Sequence, residues 1–159
     1  MANLLIQDYL RQLNLVYEGD PWIDETFAKK LNGLSEEDAF RQPGPKIHSV
    51  AEVLSHLIEW RKELIERFET GRPAFPLFDS EKNWYSNEIL KERGWNQLKE
   101  DFAVTQRQLV LLWKSWDDQF LRKSYRNEYP YHHMVEGIVH HDLYHLGQIG
   151  LIINMLSGK

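Results

Sequence analysis

Hydrophobic residues recur at helical spacing in four long stretches of the chain, and none of the chain shows the alternation typical of a strand. The stretches cover about residues 3–17, 49–70, 95–120 and 131–156. The second stretch begins with a capping box, Ser49-Val50-Ala51-Glu52, and ends at Gly71, a residue type common just past a helix. Four such helices without strands predict an all-α fold, specifically an up-down four-helix bundle.

Shorter segments join the four stretches. Asp20 is predicted to cap a short second helix with Pro21 at its first position, and residues 35–41 form one or two further helical turns. Residues 71–93 predict a long loop between the second and third main helices, with a short helical piece before Gly94. Loops of this length in compact domains are usually functional or mobile. A second connection, residues 121–130, leads into the last helix.

Composition narrows the class of protein. The 159 residues are 42% hydrophobic, enough to bury a core. A net charge of −5 argues against a nucleic-acid partner. The chain has no Cys, which excludes disulfides, thiolate metal sites and a Cys nucleophile, and suits a reducing compartment. No apolar run reaches the roughly 18 residues of a membrane span, and no signal peptide is evident. We expect one soluble, cytoplasmic domain over residues 1–159, without a membrane partner.

Two of the seven histidines lie in the apolar stripe of the last helix. With His145 at zero on a helical wheel, His141 lies at about −40°, whereas His132, His133 and His140 point away. Five apolar residues fall within about 40° of His145: Met134, Ile138, Ile149, Ile152 and Leu156. An unmatched buried imidazole donor or acceptor costs about 1–3 kcal/mol. Binding one cation through both rings would match them, and the alternative is partners among other side chains or buried water.

A third imidazole is expected from the second helix. His56 lies beside Val53 and Trp60 at the edge of that helix's apolar face, where a half-exposed ring is its alternative. His48 precedes the capping serine and is expected in a loop. Three protein ligands with an open position are typical of catalytic sites, whereas structural zinc sites are usually closed by four. All-imidazole ligation suits zinc, nickel, iron or copper, and we expect one divalent ion, zinc, nickel or iron.

Several neighbours are candidates for supporting this site. On the wheel, Gln148 can orient a ligand or a bound water, Asp142 can accept from a histidine N–H, and Tyr144 can line the pocket edge. Trp60 is a further pocket candidate, and each of these residues has a plain packing role as its alternative. Two carboxylates of the second helix are expected in solvent: Glu59 and Glu63.

The opposite side of the last helix is also apolar. It carries Val139, Leu143, Leu146, Gly147, Gly150 and Leu151. A helix that is apolar nearly all round must be covered on both faces. Gly147 and Gly150 indicate close backbone approach, because each costs about 1 kcal/mol relative to Ala. The first helix or a second subunit is expected to cover this face, and we predict a homodimer.

Three segments resemble the DinB/YfiT-like superfamily. Residues 141–149, HDLYHLGQI, resemble the motif of its last helix, and residues 49–60, SVAEVLSHLIEW, resemble its second helix. Residues 18–22, EGDPW, and residues 31–35, LNGLS, are similar to the N-terminal part of YfiT-like proteins. The resemblance covers most of the chain except residues 71–93 and the third helix. It implies a four-helix bundle, often dimeric, with a divalent metal held at the positions of His56, His141 and His145.

The resemblance also suggests a reaction. Characterised relatives include thiol S-transferases that use bacillithiol or mycothiol and a mycothiol-dependent maleylpyruvate isomerase; other relatives carry the name metal-dependent hydrolase, and many have no known activity. We therefore expect a metal-dependent transferase that uses a low-molecular-weight thiol on a small-molecule substrate, with a mouth beside residues 71–93. A nearby basic group should attract an anionic thiol, and Arg61, Arg72 and Lys82 are the candidates. The alternatives are a metal-dependent hydrolase and a non-catalytic metal-binding or interaction protein.

Overall fold

The computed structural model describes residues 3–158, and helices dominate it. In chain order the helices are α1 Leu4–Tyr17, α2 Phe27–Asn32, α3 Glu36–Phe40, α4 Val50–Thr70, α5 Asn87–Arg93, α6 Trp95–Lys114, α7 Asp118–Arg122 and α8 Tyr131–Leu156. Two 3₁₀ turns, Leu77–Asp79 and Glu81–Asn83, lie between α4 and α5. The two-residue strands β1 Ser124–Tyr125 and β2 Tyr129–Pro130 form an antiparallel hairpin in which Tyr125 pairs with Tyr129. The predicted all-α class is confirmed.

The core lies between the four long helices. α4 packs against α6 and α8, and α1 contacts the same two helices. Apolar side chains from α4, α6 and α8, such as Leu54, Phe102 and Ile149, are buried together near the start of α4. A second buried group joins α1, α6 and α8 through residues such as Leu13, Trp113 and Ile138. None of the described helices combines the length and the apolar character that a bilayer crossing requires.

Local sequence explains both ends of α4. The Ser49 hydroxyl accepts from the Glu52 backbone N–H at 3.1 Å, and the Glu52 carboxylate accepts from the Ser49 N–H at 2.7 Å, which completes the predicted capping box. Gly71 ends the helix with φ +66°, a left-handed conformation that glycine adopts without steric cost. These two signals fix the register of the helix that carries His56.

The connections depart from prediction in three places. Asp20 and Pro21 start no helix; α2 begins only at Phe27, capped by Thr26, since the fully exposed Trp22 gives the preceding segment no face to bury. The predicted helix over 95–120 ends at Lys114, because the Asp117 carboxylate accepts from the Phe120 N–H at 2.6 Å and begins α7. Residues 121–130 contain the hairpin, so the expectation of no strand was also wrong. Residues 71–93 form a connection that ends in α5, as predicted.

The far side of α8 is only partly covered by the described chain. Val139 and Leu146 are buried, whereas Leu151 is 61% exposed. At Gly147 a Cβ would meet no heavy atom within 4 Å other than its own helix backbone and chain neighbours, so close packing within residues 3–158 does not explain that glycine. At Gly150 a Cβ would lie 3.6 Å from the flexible Lys30 side chain, which is an ordinary van der Waals contact. Within the described residues, neither glycine shows the close backbone approach that was predicted.

Candidate metal centre

Three imidazole rings from two helices meet at one point. The Nε2 atom of His141 lies 3.1 Å from Nε2 of His56 and 3.0 Å from Nε2 of His145. His56 and His145 are 6% and 4% exposed, and their candidate ligand atoms together with that of His141 lie within 4.8 Å of one another. The i,i+4 spacing on α8 places two rings one turn apart, and α4 supplies the third. The structure thus brings together the three histidines that the sequence singled out.

Hydrogen bonds orient two of these rings. Nδ1 of His56 lies 2.9 Å from the Asn83 carbonyl oxygen, and Nδ1 of His145 lies 2.6 Å from Oε1 of Gln148. Because a carbonyl oxygen only accepts, each Nδ1 carries the proton and each Nε2 presents a lone pair. Gln148 therefore takes the supporting position predicted for it.

The three Nε2 atoms are better matched by one bound cation than by a hydrogen bond among the rings. Two Nε2 lone pairs face Nε2 of His141, which as a neutral ring donates at most one hydrogen there. A divalent ion between the three atoms would satisfy all of them. Ligands 2.0–2.1 Å from a tetrahedral zinc lie about 3.3 Å apart, close to the separations between these nitrogens.

Burial keeps the imidazoles in the ligand form. Desolvation lowers the pKa of His56 from 6.5 to about 4, although the Asn83 carbonyl opposes the shift. Desolvation and the neighbouring His145 and His56 rings lower the pKa of His141 to about 3. Desolvation also lowers the pKa of His145. All three rings are therefore neutral near pH 7, as metal ligation requires.

The segment between α4 and α5 holds the His56 ring in place. The Trp84 ring stacks between the imidazoles of His48 and His56, with centroids at 3.9 and 4.0 Å. Trp60 donates from Nε1 to the Asn83 side chain at 3.1 Å. The sequence analysis missed Asn83 and Trp84, because only the unusual length of the loop hinted at a role for this segment.

Asp142 does not support a histidine, contrary to prediction. Its carboxylate accepts two hydrogen bonds from Arg61, at 3.2 Å from Nε and 2.5 Å from Nη2, rather than one from a histidine. Both side chains are 1% exposed. Burial raises the pKa of Asp142, and the guanidinium opposes that shift. A neutral carboxyl would leave the guanidinium without a counter-charge, which favours the ion pair. It ties α4 to α8 beside the site.

A cavity of about 630 Å³ opens from the three histidines. Its walls are mainly apolar and aromatic and include Trp60, Leu64, Phe78, Trp84, Met134, Ile138 and Tyr144. Trp60 and Tyr144 thus line the pocket as predicted, and Phe78, Asn83 and Trp84 show that residues 71–93 form one wall. His133 also lines the cavity but lies outside the three-histidine cluster, in agreement with its direction on the wheel. Among residues 3–158, no carboxylate lines this space.

None of the three basic candidates is a free cation in the cavity. Arg61 is neutralised by Asp142, and Arg72 pairs with Glu63 at 2.5 Å and with Glu66 at 2.8 Å. The Lys82 amine lies 5.8 Å from the Phe75 ring centroid, beside a separate surface pocket.

The two carboxylates expected in solvent are not freely solvated. The Glu63 side chain is 6% exposed and also accepts from the Phe75 N–H at 2.8 Å. The Glu59 side chain is 14% exposed and pairs with Lys62. The segment after Gly71 folds back over this side of α4 and covers Glu63.

Arg67 is a cation that the sequence analysis missed. It lines the cavity and is 6% exposed. Its position in the sequence could have indicated it: Arg67 follows His56 by eleven residues, about three helical turns, so the two residues lie within about 20° of each other around α4.

Comparison with known proteins places the chain in a family. The model of the DinB superfamily matches residues 24–149, a span that includes all three converging histidines. The chain belongs to the DinB superfamily. No curated protein and no solved structure matches it. Family membership and the buried histidine cluster together are compatible with metal binding.

Proposed function

We propose that this protein binds one divalent metal ion through His56, His141 and His145 and acts as a metal-dependent thiol S-transferase on a small molecule. The observation that carries the proposal is the opening of the three-histidine centre into a large apolar cavity free of described carboxylates. When bound, the ion would lower the pKa of a thiol occupying its open coordination position.

The cavity suits a small organic ligand. Its volume of about 630 Å³ lies within the usual range for such sites. The chain has no Cys, so any reacting sulfur must be brought in by a ligand. Trp60, Phe78 and Ile138 provide apolar walls against which the organic part of a ligand can pack.

The two alternatives have less support. Hydrolysis needs a general base beside the metal; no described carboxylate lines the cavity, and His133, the other histidine on its wall, lies outside the three-histidine cluster. A purely structural site is usually closed by a fourth protein ligand. The cluster found among residues 3–158 contains three ligands and adjoins open space.

Three further features belong to this proposal: an up-down order of the long helices, a homodimer and a cytoplasmic location. The partly uncovered α8 face, with Leu143 40% and Leu151 61% exposed, supports a second subunit. The absence of Cys suits a reducing compartment.

The test is the spectrum of cobalt-substituted protein titrated with low-molecular-weight thiols. We expect a sulfur-to-metal charge-transfer band and, with an electrophile added, a metal-dependent conjugate. The matched control is His140→Ala, since His140 is exposed and outside the cluster. His141→Ala should lose both signals. If no thiol perturbs the spectrum and no conjugate forms, the transferase proposal is wrong.

A further inference from the structure

The cavity wall contains a buried cation without a counter-ion. The Arg67 guanidinium donates from Nη2 to the Tyr129 hydroxyl at 2.8 Å and lies over the Tyr125 ring, 5.0 Å from its centroid. It forms no ion pair with any carboxylate of residues 3–158, and its Nε has no hydrogen-bond partner there. The neighbouring arginines differ, since Arg61 and Arg72 each pair with carboxylates.

An uncompensated buried charge is costly, so its retention beside a cavity indicates an anionic ligand. The Tyr129 hydroxyl accepts from Arg67, so that bond leaves its own O–H free to donate, and Tyr129 lines the same cavity. With neutral imidazoles holding a divalent ion and no described carboxylate on the walls, the cavity has an excess of positive charge.

The position of Arg67 defines the shape of the ligand. Its Cα lies about 16 Å along α4 from that of His56, on the same helix face. Arg67 and the three histidines line the same cavity. The wall between them carries Trp60, Leu64 and Ile138. The space thus has a metal centre at one end, apolar sides and a cation at the other end.

We propose that Arg67 and the Tyr129 hydroxyl bind the carboxylate of a small organic ligand whose apolar body fills the cavity and whose far end reaches the three-histidine centre. The assignment rests on the proposed function, because it takes the metal centre as the group that contacts the far end of the ligand. Guanidinium and carboxylate are matched in shape, and a charge-assisted hydrogen bond in a water-poor site is stronger than a neutral one.

The test compares two thiols that differ only in charge: 4-(sulfanylmethyl)benzoate and its uncharged amide, 4-(sulfanylmethyl)benzamide. Dissociation constants come from tryptophan fluorescence, because Trp60 and Trp84 line the cavity. In wild type we expect the carboxylate to bind about 10- to 100-fold more tightly than the amide. Arg67→Met should remove this preference, whereas Arg107→Met, at an exposed arginine outside the cavity, should keep it.

Tyr129→Phe provides a second variant should Arg67→Met fail to fold. It retains the guanidinium and should lower the preference about two- to tenfold. Equal affinities of wild type for the two thiols would overturn the assignment and leave Arg67 as a tie between α4 and the hairpin. A preference unchanged in Arg67→Met or in Tyr129→Phe would overturn it as well.

The two proposals fail separately. A cobalt charge-transfer band with either thiol supports the proposed function. Its absence with both thiols contradicts the proposed function and does not bear on the role of Arg67. The ratio of carboxylate to amide affinity, measured by fluorescence in both metal-free and cobalt-loaded protein, decides the role of Arg67 without reference to the metal.

Discussion

Replacing Asp142 by Asn should destabilise the fold strongly, because it leaves Arg61 buried without its counter-ion. Asn has nearly the same shape, so the change removes charge and leaves no cavity. Removing one partner of a buried ion pair typically costs about 3–5 kcal/mol. We expect the upper part of this range, since both side chains are 1% exposed and, apart from Asp142, Arg61 has among residues 3–158 a hydrogen bond to the Thr105 hydroxyl at 3.4 Å and a contact with the Phe102 ring, neither of which carries a negative charge. Such a loss is a large share of a typical stability of about 5–15 kcal/mol.

The assay is urea unfolding of metal-free protein, followed by tryptophan fluorescence. Arg61→Met combined with Asp142→Leu should cost less than Asp142→Asn alone, because no charge then remains buried. The matched control is Glu100→Gln, which breaks an exposed pair with Arg107 and should have little effect. The destabilisation by Asp142→Asn should persist in 1 M salt, because buried pairs are weakly screened. A cost below about 1 kcal/mol, or a double variant as unstable as the single one, would refute the reasoning.

Three further outcomes are expected. Because the folded-state pKa values of His56 and His141 are about 4 and about 3, below the ordinary 6.5, the unfolded chain binds more protons below pH 6.5. Metal-free stability should therefore be level above pH 7 and fall from pH 6.5 toward 4 in denaturant titrations; a rise on acidification would contradict the shifts. Gln148→Leu, which removes the acceptor for His145, should weaken metal binding about 10- to 100-fold by competition with a chromogenic chelator, and unchanged affinity would argue against orientation by Gln148. Light scattering at micromolar concentration should show a dimer that Gly147→Arg dissociates, whereas a 19 kDa wild-type species would exclude the dimer.

The parts of the fold that the sequence predicts well are those encoded by neighbouring residues. The Ser49 capping box and Gly71 bound α4 because their hydrogen bonds reach only three or four residues along the chain. The apolar stripe likewise predicted α8 and selected His141 and His145. The end of α6 was harder to predict. Trp116 continues the apolar stripe of this helix and packs against Phe68, yet the helix already ends before Ser115.

The missing parts of the site depend on contacts between distant segments. A helical wheel gives directions around one helix, and it cannot show that Asp142 meets Arg61, 81 residues earlier. The carbonyl of Asn83 reaches His56 from a segment without periodicity, so no pattern indicated it. The position of Arg67 on the His56 side of α4 can be read from the sequence, but the absence of a carboxylate partner among residues 3–158 depends on the tertiary structure.

Metal content of the purified protein tests the central claim most directly. Elemental analysis after removal of loosely bound ions should give about one divalent ion per chain, because three neutral imidazoles converge on one point. His56→Ala, His141→Ala and His145→Ala should each abolish binding, and His140→Ala should retain it. Absence of stoichiometric metal after reconstitution with zinc, nickel and iron, or equal loss in all four variants, would contradict the account.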